Sequence, residues 1–213
     1  MYYRFNSEYM PKVSTMGYVD TSPTWRHFER TCNEFILYIV ADGVMYIRQD
    51  DDCYELHRGD AILFDPEHPQ SGYEESKCSY YYIHVRPDTF TRFDCSEKQS
   101  IEHLLLDNRR NFIHTNPISY EQYETTNLYI PKVINIRDSK TMRIIEKSMS
   151  ESIEALELGN EYYKLICTTK FLEIITAMSN YFTDKLFSVD TEINSLRQGN
   201  HITEAVMEYL RAN

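Results

Sequence analysis

Short apolar runs separated by turn residues are the dominant pattern of residues 34–68. Such runs are typical of β-strands, and the dipeptide Asp42-Gly43 between the first two predicts a tight turn that reverses the chain. The consecutive aspartates 50–52 predict a solvated hairpin tip, and Gly59 predicts another turn. The predicted strands are 35–40, 44–48, 53–57 and 61–64. Four strands in roughly 30 residues indicate a β-sandwich or a β-barrel, and small barrels often hold a ligand or a metal.

The sequence on both sides of this region predicts further β-strands, and from about residue 97 the apolar residues follow a helical spacing instead. Two short strands are predicted ahead of it, at 17–20 and 25–30, and one after it, at 79–85. A short helix is predicted over 97–106, with Ser96 as its N-cap. A brief extended piece follows at 128–131.

Two long helices are predicted next. Ser139 is the predicted N-cap of the first, which carries apolar residues on one face and ends at Gly159. The second is predicted over about 161–186, and its apolar residues form two adjacent rows: Phe171, Ile174, Met178 and Tyr181 beside Leu172, Ile175, Phe182 and Leu186. A stripe this wide predicts contact with a second surface, such as another copy of the chain. Burial in a single core is the alternative.

The end of the chain predicts the start of another domain. Residues 187–200 are polar and are interpreted as a linker, and Asn200 is the predicted N-cap of a final helix. A single short amphipathic helix is only marginally stable alone. We therefore interpret residues 201–213 as the opening of a domain that continues beyond them.

Composition narrows the function classes. The net charge of −11 over 213 residues disfavours direct binding to nucleic acid or to an anionic membrane. No apolar run approaches the ~18 residues of a membrane span, and the N-terminus lacks the pattern of a secretory signal. Five scattered cysteines without C-x-x-C spacing are typical of free thiols, which favours a cytoplasmic location. They are Cys32, Cys53, Cys78, Cys95 and Cys167.

Tyrosine is abundant, with 18 copies against 6 glycines. Many of these tyrosines lie in predicted strands, where β-propensity alone accounts for them. A pocket lined by aromatic faces and hydroxyl groups, suited to a sugar or another polar molecule, is the functional alternative.

The order and spacing of these elements resemble the N-terminal sensor and dimerisation part of the AraC family of bacterial transcription regulators. The matching segments are Arg30, 34–40 (EFILYIV), Asp42-Gly43, 54–56 (YEL), 59–66 (GDAILFDP), 80–85 (YYYIHV), 129–131 (YIP) and 202–210 (ITEAVMEYL). No single motif is decisive, but together they cover essentially the whole chain.

The resemblance implies an α+β chain in which a cupin-like, jelly-roll β-barrel precedes an α-helical dimerisation segment. We assign residues 1–95 to an effector-binding barrel, 96–186 to the helical segment, 187–200 to a linker and 201–213 to the first helix of a helix-turn-helix DNA-binding domain. The expected partners are a small-molecule effector, a second copy of the chain in a homodimer, and promoter DNA through the missing C-terminal domain only. No cofactor, metal or catalytic residue is assigned.

A metal-dependent cupin enzyme is the alternative function. It would need three or four convergent ligands. The sequence has no H-x-H, its histidines 57, 68 and 84 are isolated, and Gln70 stands where many relatives carry a histidine. A third hypothesis is an interaction module whose barrel is filled by its own side chains.

The candidate effector-binding residues are polar or aromatic side chains of the barrel. Strand alternation places Tyr46 and Arg48 on one face, and Tyr80, Tyr82 and His84 on another. The resemblance implies that residues at positions 80 and 82 face the pocket, together with an arginine ahead of the first long strand. Packing in the barrel wall is the alternative for each. The complete set is Arg26, Arg30, Tyr38, Tyr46, Arg48, Tyr80, Tyr82 and His84, and a sugar is the preferred effector.

Overall fold

The computed structural model describes residues 1–21, 23–93, 98–114, 127–159, 161–187, 207 and 209–211. The strands are β1 (Tyr2–Asn6), β2 (Val13–Asp20), β3 (Arg30–Thr31), β4 (Phe35–Gln49), β5 (Asp52–His57), β6 (Asp60–Phe64), β7 (Pro69–Gly72), β8 (Cys78–Val85), β9 (Phe90–Phe93), β10 (Asn127–Pro131) and β11 (Val133–Asn135). The helices are α1 (Lys98–His114), α2 (Ser139–Leu158) and α3 (Tyr163–Leu186).

The strands form two antiparallel sheets. A three-stranded sheet has the order β10-β1-β9. An eight-stranded sheet has the order β11-β6-β4-β7-β3, with β5 and β8 also paired to β4 and β2 paired to β8. Antiparallel sheets followed by long helices confirm the predicted α+β class.

Strand β4 is the backbone of the large sheet, and here the predicted turn at Asp42-Gly43 is wrong. The chain continues through Gly43 as one 15-residue strand. A register shift between Val40 and Asp42 and a positive φ of 76° at Gly43 bend the strand without reversing it. Its first part pairs with β6 and β8, and its second part pairs with β5 and β7. The turns predicted at the aspartates and at Gly59 are confirmed.

The bend at Gly43 gives a stability prediction with a matched control. Gly43 and Gly159 both have positive φ, but an added Cβ would overlap the Lys77 carbonyl oxygen only at Gly43, and would meet nothing within 4 Å at Gly159. Gly159→Ala should therefore cost about 1 kcal/mol, which is the strain of the left-handed backbone alone. Gly43→Ala should cost about 3 kcal/mol. Urea unfolding of both variants tests this, and equal losses would contradict it.

Two apolar clusters lie on opposite faces of the large sheet. The barrel interior holds Ile36, Tyr38, Val40, Met45, Ile47, Leu56, Ile62, Phe64, Cys78 and Tyr80. The alternate residues of β4, which include Leu37 and Ile39, face a larger cluster shared with the small sheet and the helices. Because the first half of β4 is buried on both faces, its sequence is a continuous apolar run.

The helices follow the predicted pattern with local differences. The side chain of Asp138, not that of Ser139, caps α2 by accepting from the backbone N–H groups of Lys140 and Thr141. The hydrogen bonds from Thr141 lower the pKa of Asp138. Gly159 ends α2 as predicted, and α3 lies within the predicted range. None of the described helices is long and apolar enough to cross a membrane.

Strands β10 and β11 add to the sheets from outside residues 1–95. They pair with β1 and β6, although the sequence-based division places them in the helical segment. The domain division otherwise stays a prediction. The predicted N-cap Ser96 and residues 188–200 of the predicted linker lie outside the described residues. Within the predicted final helix, residues 207 and 209–211 are helical, and the rest lies outside them.

Candidate functional site

The lead-in segment, residues 25–34, runs along the large sheet and delivers polar side chains to the barrel. The backbone of Trp25 forms an isolated antiparallel β-bridge with Ser76, and Arg30 of β3 lies opposite Gln70 of β7 in the strand register. The backbone N–H of Gly72 donates to the His27 carbonyl at 2.8 Å. A Cβ at Gly72 would lie only 2.6 Å from the backbone nitrogen of His27, so a glycine is needed for this close approach of the two backbones.

Arg30 is the cationic centre of the site. Its Nη2 donates to the Tyr38 hydroxyl at 2.6 Å and lies 3.5 Å from His84 Nε2. Its guanidinium also lies over the Phe28 ring, 5.3 Å from the centroid. The Arg30 Nε is buried and has no hydrogen-bond partner among the described residues. Hydrogen bonding therefore holds the guanidinium at Nη2, and the N–H of Nε is left without an acceptor among those residues.

His84 is held in one tautomer by Glu34. Its Nδ1 lies 2.9 Å from Glu34 Oε2, and the Ser14 hydroxyl donates to the other oxygen of the same carboxylate. Burial lowers the pKa of His84, while the hydrogen bond to Glu34 opposes that shift. The imidazole is therefore neutral near pH 7, donates from Nδ1 to Glu34, and presents Nε2 as an acceptor towards Arg30.

Tyr38 connects Arg30 to two further side chains. Its hydroxyl lies 3.1 Å from both His27 Nε2 and Gln70 Oε1, so its single proton can reach either acceptor. Burial raises the pKa of Tyr38 to about 12, and burial lowers the pKa of His27 to about 4. Both groups are therefore neutral near pH 7, and His27 Nδ1–H donates to the Phe28 carbonyl at 2.9 Å.

Aromatic rings line the same region. The Trp25 ring stacks on Tyr80 at 6.5 Å between centroids, and Tyr80 meets Tyr38 edge-on at 5.7 Å. The half-buried Tyr82 contacts His84 edge-on at 5.7 Å and lies over Gly17, where an added Cβ would overlap its ring. The site thus combines a few polar groups with broad aromatic faces, which is the usual composition of a small-molecule site.

Five of the eight predicted residues converge in the structure: Arg30, Tyr38, Tyr80, Tyr82 and His84. The other three lie elsewhere. Arg26 is exposed, Tyr46 packs on Tyr73 at 5.6 Å, and Arg48 Nε donates to the Ser71 hydroxyl at 2.8 Å. In β4 the alternate residues Met45 and Ile47 face the interior instead.

Three members of the network were not predicted from the sequence as site residues: His27, Glu34 and Gln70. We call the six hydrogen-bonded residues His27, Arg30, Glu34, Tyr38, Gln70 and His84 the Arg30 cluster. Glu34 stands directly before the apolar run 35–40, and a charged residue at the start of a barrel strand could have indicated a site residue. His27 and Gln70 lie outside any periodic segment, and their proximity follows from the backbone contacts of the lead-in segment with β7.

The donor set for a metal ion is weak in the described part of the chain. No group of three His, Cys, Asp or Glu side chains that could hold a metal occurs there. His57 pairs with Glu55 at 3.2 Å and His68 pairs with Asp50 at 2.7 Å, but both are exposed pairs of two residues.

The structure and the family comparison agree on the class of this region. The family model described as the AraC-like ligand binding domain matches residues 12–110. The match contains strands β2 to β9 and the whole Arg30 cluster. Residues 12–110 therefore match the AraC-like ligand-binding domain, and the predicted cupin-like α+β fold is confirmed.

Solved cupin structures show distant similarity. A putative mannose-6-phosphate isomerase from Ralstonia eutropha JMP134 is 10% identical, with 36% of this chain and 82% of that chain covered and a TM-score of 0.31. A predicted oxalate decarboxylase from Thermotoga maritima is 14% identical, with 35% and 68% covered and a TM-score of 0.31. A cupin superfamily protein from Desulfitobacterium hafniense DCB-2 is 16% identical, with the same coverage and TM-score. No curated protein matches the chain.

Proposed function

We propose that this chain is the effector-sensing and dimerisation part of an AraC-type transcription regulator and has no enzymatic activity. The observation that carries the proposal is the Arg30 cluster inside a domain of the AraC-like ligand-binding type. A hydrogen-bonded cation among neutral acceptors and aromatic rings suits recognition of a polar metabolite such as a sugar. The cytoplasmic location and the control of DNA binding belong to the same proposal and rest on the sequence resemblance.

The lead-in segment offers a route for the response to effector. It carries Trp25, His27 and Arg30, and its backbone joins the large sheet at Gln70 and Gly72. An effector that contacts Arg30 favours the conformation in which this segment is docked. The effector shifts the equilibrium only by its differential affinity for the docked and undocked states.

A thermal-shift screen tests effector sensing. The panel contains neutral sugars, sugar acids and divalent metal salts. A ligand at 100 times its dissociation constant adds about 2.7 kcal/mol of stability. That corresponds to a rise in melting temperature of several degrees for a chain of this size. A selective rise with one class of metabolite is expected, whereas a rise with a metal alone would favour a cupin enzyme.

The surface proposed for dimerisation is a groove on the α2–α3 pair. It is lined by Ile144, Leu172, Glu173, Thr176, Ala177 and Asn180. Of the wide apolar stripe on α3, Ile175 and Phe182 are buried within the same chain, so the stripe alone does not require a partner. Leu172 is half-buried and lines this groove together with the small Ala177, and a second copy of α2 and α3 could pack there across a two-fold axis.

Leu172→Glu tests this surface. A glutamate buried in an apolar helix–helix interface should weaken the dimer at least about 100-fold. Val133→Glu is the matched control, because Val133 is an exposed apolar residue of β11 and should leave the association unchanged. Sedimentation equilibrium measures both variants. A wild-type chain that stays monomeric, or equal dissociation constants for wild type and Leu172→Glu, would contradict the proposal.

A further inference from the structure

We propose that the effector carries a carboxylate group and that this group binds the guanidinium of Arg30. The inference rests on the proposed sensing function and specifies the chemical class of its ligand. It separates acids, such as sugar acids, from the neutral sugars that the tyrosine content alone would favour.

The charge of Arg30 is not balanced within its surroundings. Its nearest groups are the hydroxyl of Tyr38, the imidazole of His84 and the ring of Phe28, and all three are uncharged near pH 7. Among the residues that the structure describes, Arg30 forms no ion pair with a carboxylate. A half-buried cation without a counter-ion is costly to maintain, and a bound anion would remove that cost.

The carboxylate already present in the cluster is engaged elsewhere. Glu34 accepts hydrogen bonds from His84 Nδ1 at one oxygen and from the Ser14 hydroxyl at the other. Glu34 therefore orients His84 and does not serve as the counter-ion of Arg30. The structure keeps an anionic group close by and still leaves the guanidinium unpaired.

The free donors of Arg30 fit a carboxylate better than a hydroxyl group. Nη2 is used by Tyr38, whereas the buried Nε has no partner. A guanidinium has five N–H donors, Tyr38 accepts one of them, and adjacent pairs of the others form a fork whose spacing matches the two oxygens of a carboxylate. A single hydroxyl group offers one oxygen, which would leave part of this fork unused and the charge unbalanced.

The surrounding groups describe the rest of the ligand. Tyr82 and Trp25 are half-buried and offer ring faces to the C–H face of a sugar acid or to an aromatic acid. Within the Arg30 cluster, Arg30 is the one cationic side chain, because His27 and His84 are neutral. One guanidinium matches a singly charged carboxylate better than a doubly charged phosphate ester.

Matched acid and neutral compounds test the inference. Melting temperatures of the protein are measured at constant ionic strength with glucuronate against glucose, galacturonate against galactose, and benzoate against benzyl alcohol. Glucose 6-phosphate is added as the phosphate arm. At least one acid should raise the melting temperature while its neutral counterpart does not, and glucose 6-phosphate should bind more weakly than the best acid.

Arginine variants localise the effect. Arg30→Met should weaken binding of the responding acid at least about 100-fold, and Arg30→Lys, which keeps the charge but loses the fork, should weaken it about tenfold. Arg86→Met is the control, because Arg86 is an exposed arginine paired with Asp88, and it should bind like wild type. Without ligand, Arg30→Met should be at least as stable as wild type, because an unpaired charge has been removed.

The outcomes separate the inference from the proposed function. A shift with neutral sugars only, or with glucose 6-phosphate only, would overturn the carboxylate assignment and leave effector sensing standing. Acid binding that survives in Arg30→Met would overturn it as well. An absence of any shift across the panel would count against both the inference and the proposed function.

Discussion

Replacing Lys132 with methionine is expected to lower the free energy of unfolding by about 3–5 kcal/mol. Lys132 lies between β10 and β11, and its Nζ donates to Gln49 Oε1 at 2.8 Å and lies 3.4 Å from Asp65 Oδ2. The Tyr3 hydroxyl donates to the same Asp65 oxygen at 2.6 Å. These residues join both sheets at one point of the fold.

The expected loss comes from the charge that remains. The side chains of Lys132 and Asp65 are only 12% and 10% exposed. Methionine fills a similar volume but leaves the Asp65 carboxylate buried without its cation, and the Tyr3 hydroxyl alone does not compensate for it. A buried ion pair adds little net stability over an apolar pair, whereas a buried charge that has lost its partner is strongly destabilising.

Urea unfolding at neutral pH measures this effect. Lys147→Met is the matched control, because the Lys147 side chain is 73% exposed and its pairing with Glu151 is a surface contact. It should change stability by less than about 0.5 kcal/mol. The double variant Lys132→Met/Asp65→Asn should recover at least half of the loss. If Lys132→Met alone stays within about 1 kcal/mol of wild type, the buried Asp65 carboxylate does not depend on Lys132 for its stabilisation.

His27→Gln is expected to remove about 3 kcal/mol of the acid-induced loss of stability. Burial lowers the pKa of His27 from 6.5 to about 4 in the folded chain. Between those two values the unfolded chain binds a proton at this residue that the folded chain does not bind. Stability therefore falls as the pH drops from about 6.5 to about 4, and the contribution of His27 is constant outside that window.

The measurement is the free energy of unfolding at pH 7, 6, 5 and 4. The difference between wild type and His27→Gln isolates His27, because the carboxylates and His84 titrate in both proteins. His57→Gln is the control, since the side chain of His57 is 52% exposed on β5, and it should keep the wild-type slope. Parallel pH profiles of wild type and His27→Gln would show that His27 titrates normally and is not buried in the folded protein.

Local signals in the sequence predicted most strands and helices because those signals were strong and short in range. The aspartates before β5, Gly59 before β6 and Gly159 after α2 mark ends that the structure confirms. Asp42-Gly43 carries the same local signal as a hairpin turn, yet β4 continues through it. The chain stays extended at Asp42-Gly43 because the two halves of β4 pair with different strands. The partner of the first half, β8, is distant in sequence, so residues near the turn signal do not predict that pairing.

The candidate site was predictable where alternation within one strand applied. Tyr80, Tyr82 and His84 share a face of β8, and Arg30 follows from the family resemblance. Tyr46 and Arg48 were predicted because their side chains could bind a polar ligand, but after the register shift in β4 the alternate residues Met45 and Ile47 face the interior instead. His27 and Gln70 depend on contacts between distant segments, so they required the fold itself.

The central claim is that a small molecule binds beside the Arg30 cluster, and the fluorescence of Trp25 measures this most directly. Trp25 is the only tryptophan of the chain, and its ring lies 5.1 Å from His27 and 6.5 Å from Tyr80. Titration with a compound that raises the melting temperature should change the Trp25 emission saturably, with the same dissociation constant. A stabilising compound that leaves this emission unchanged would bind elsewhere and would contradict the assignment of the site.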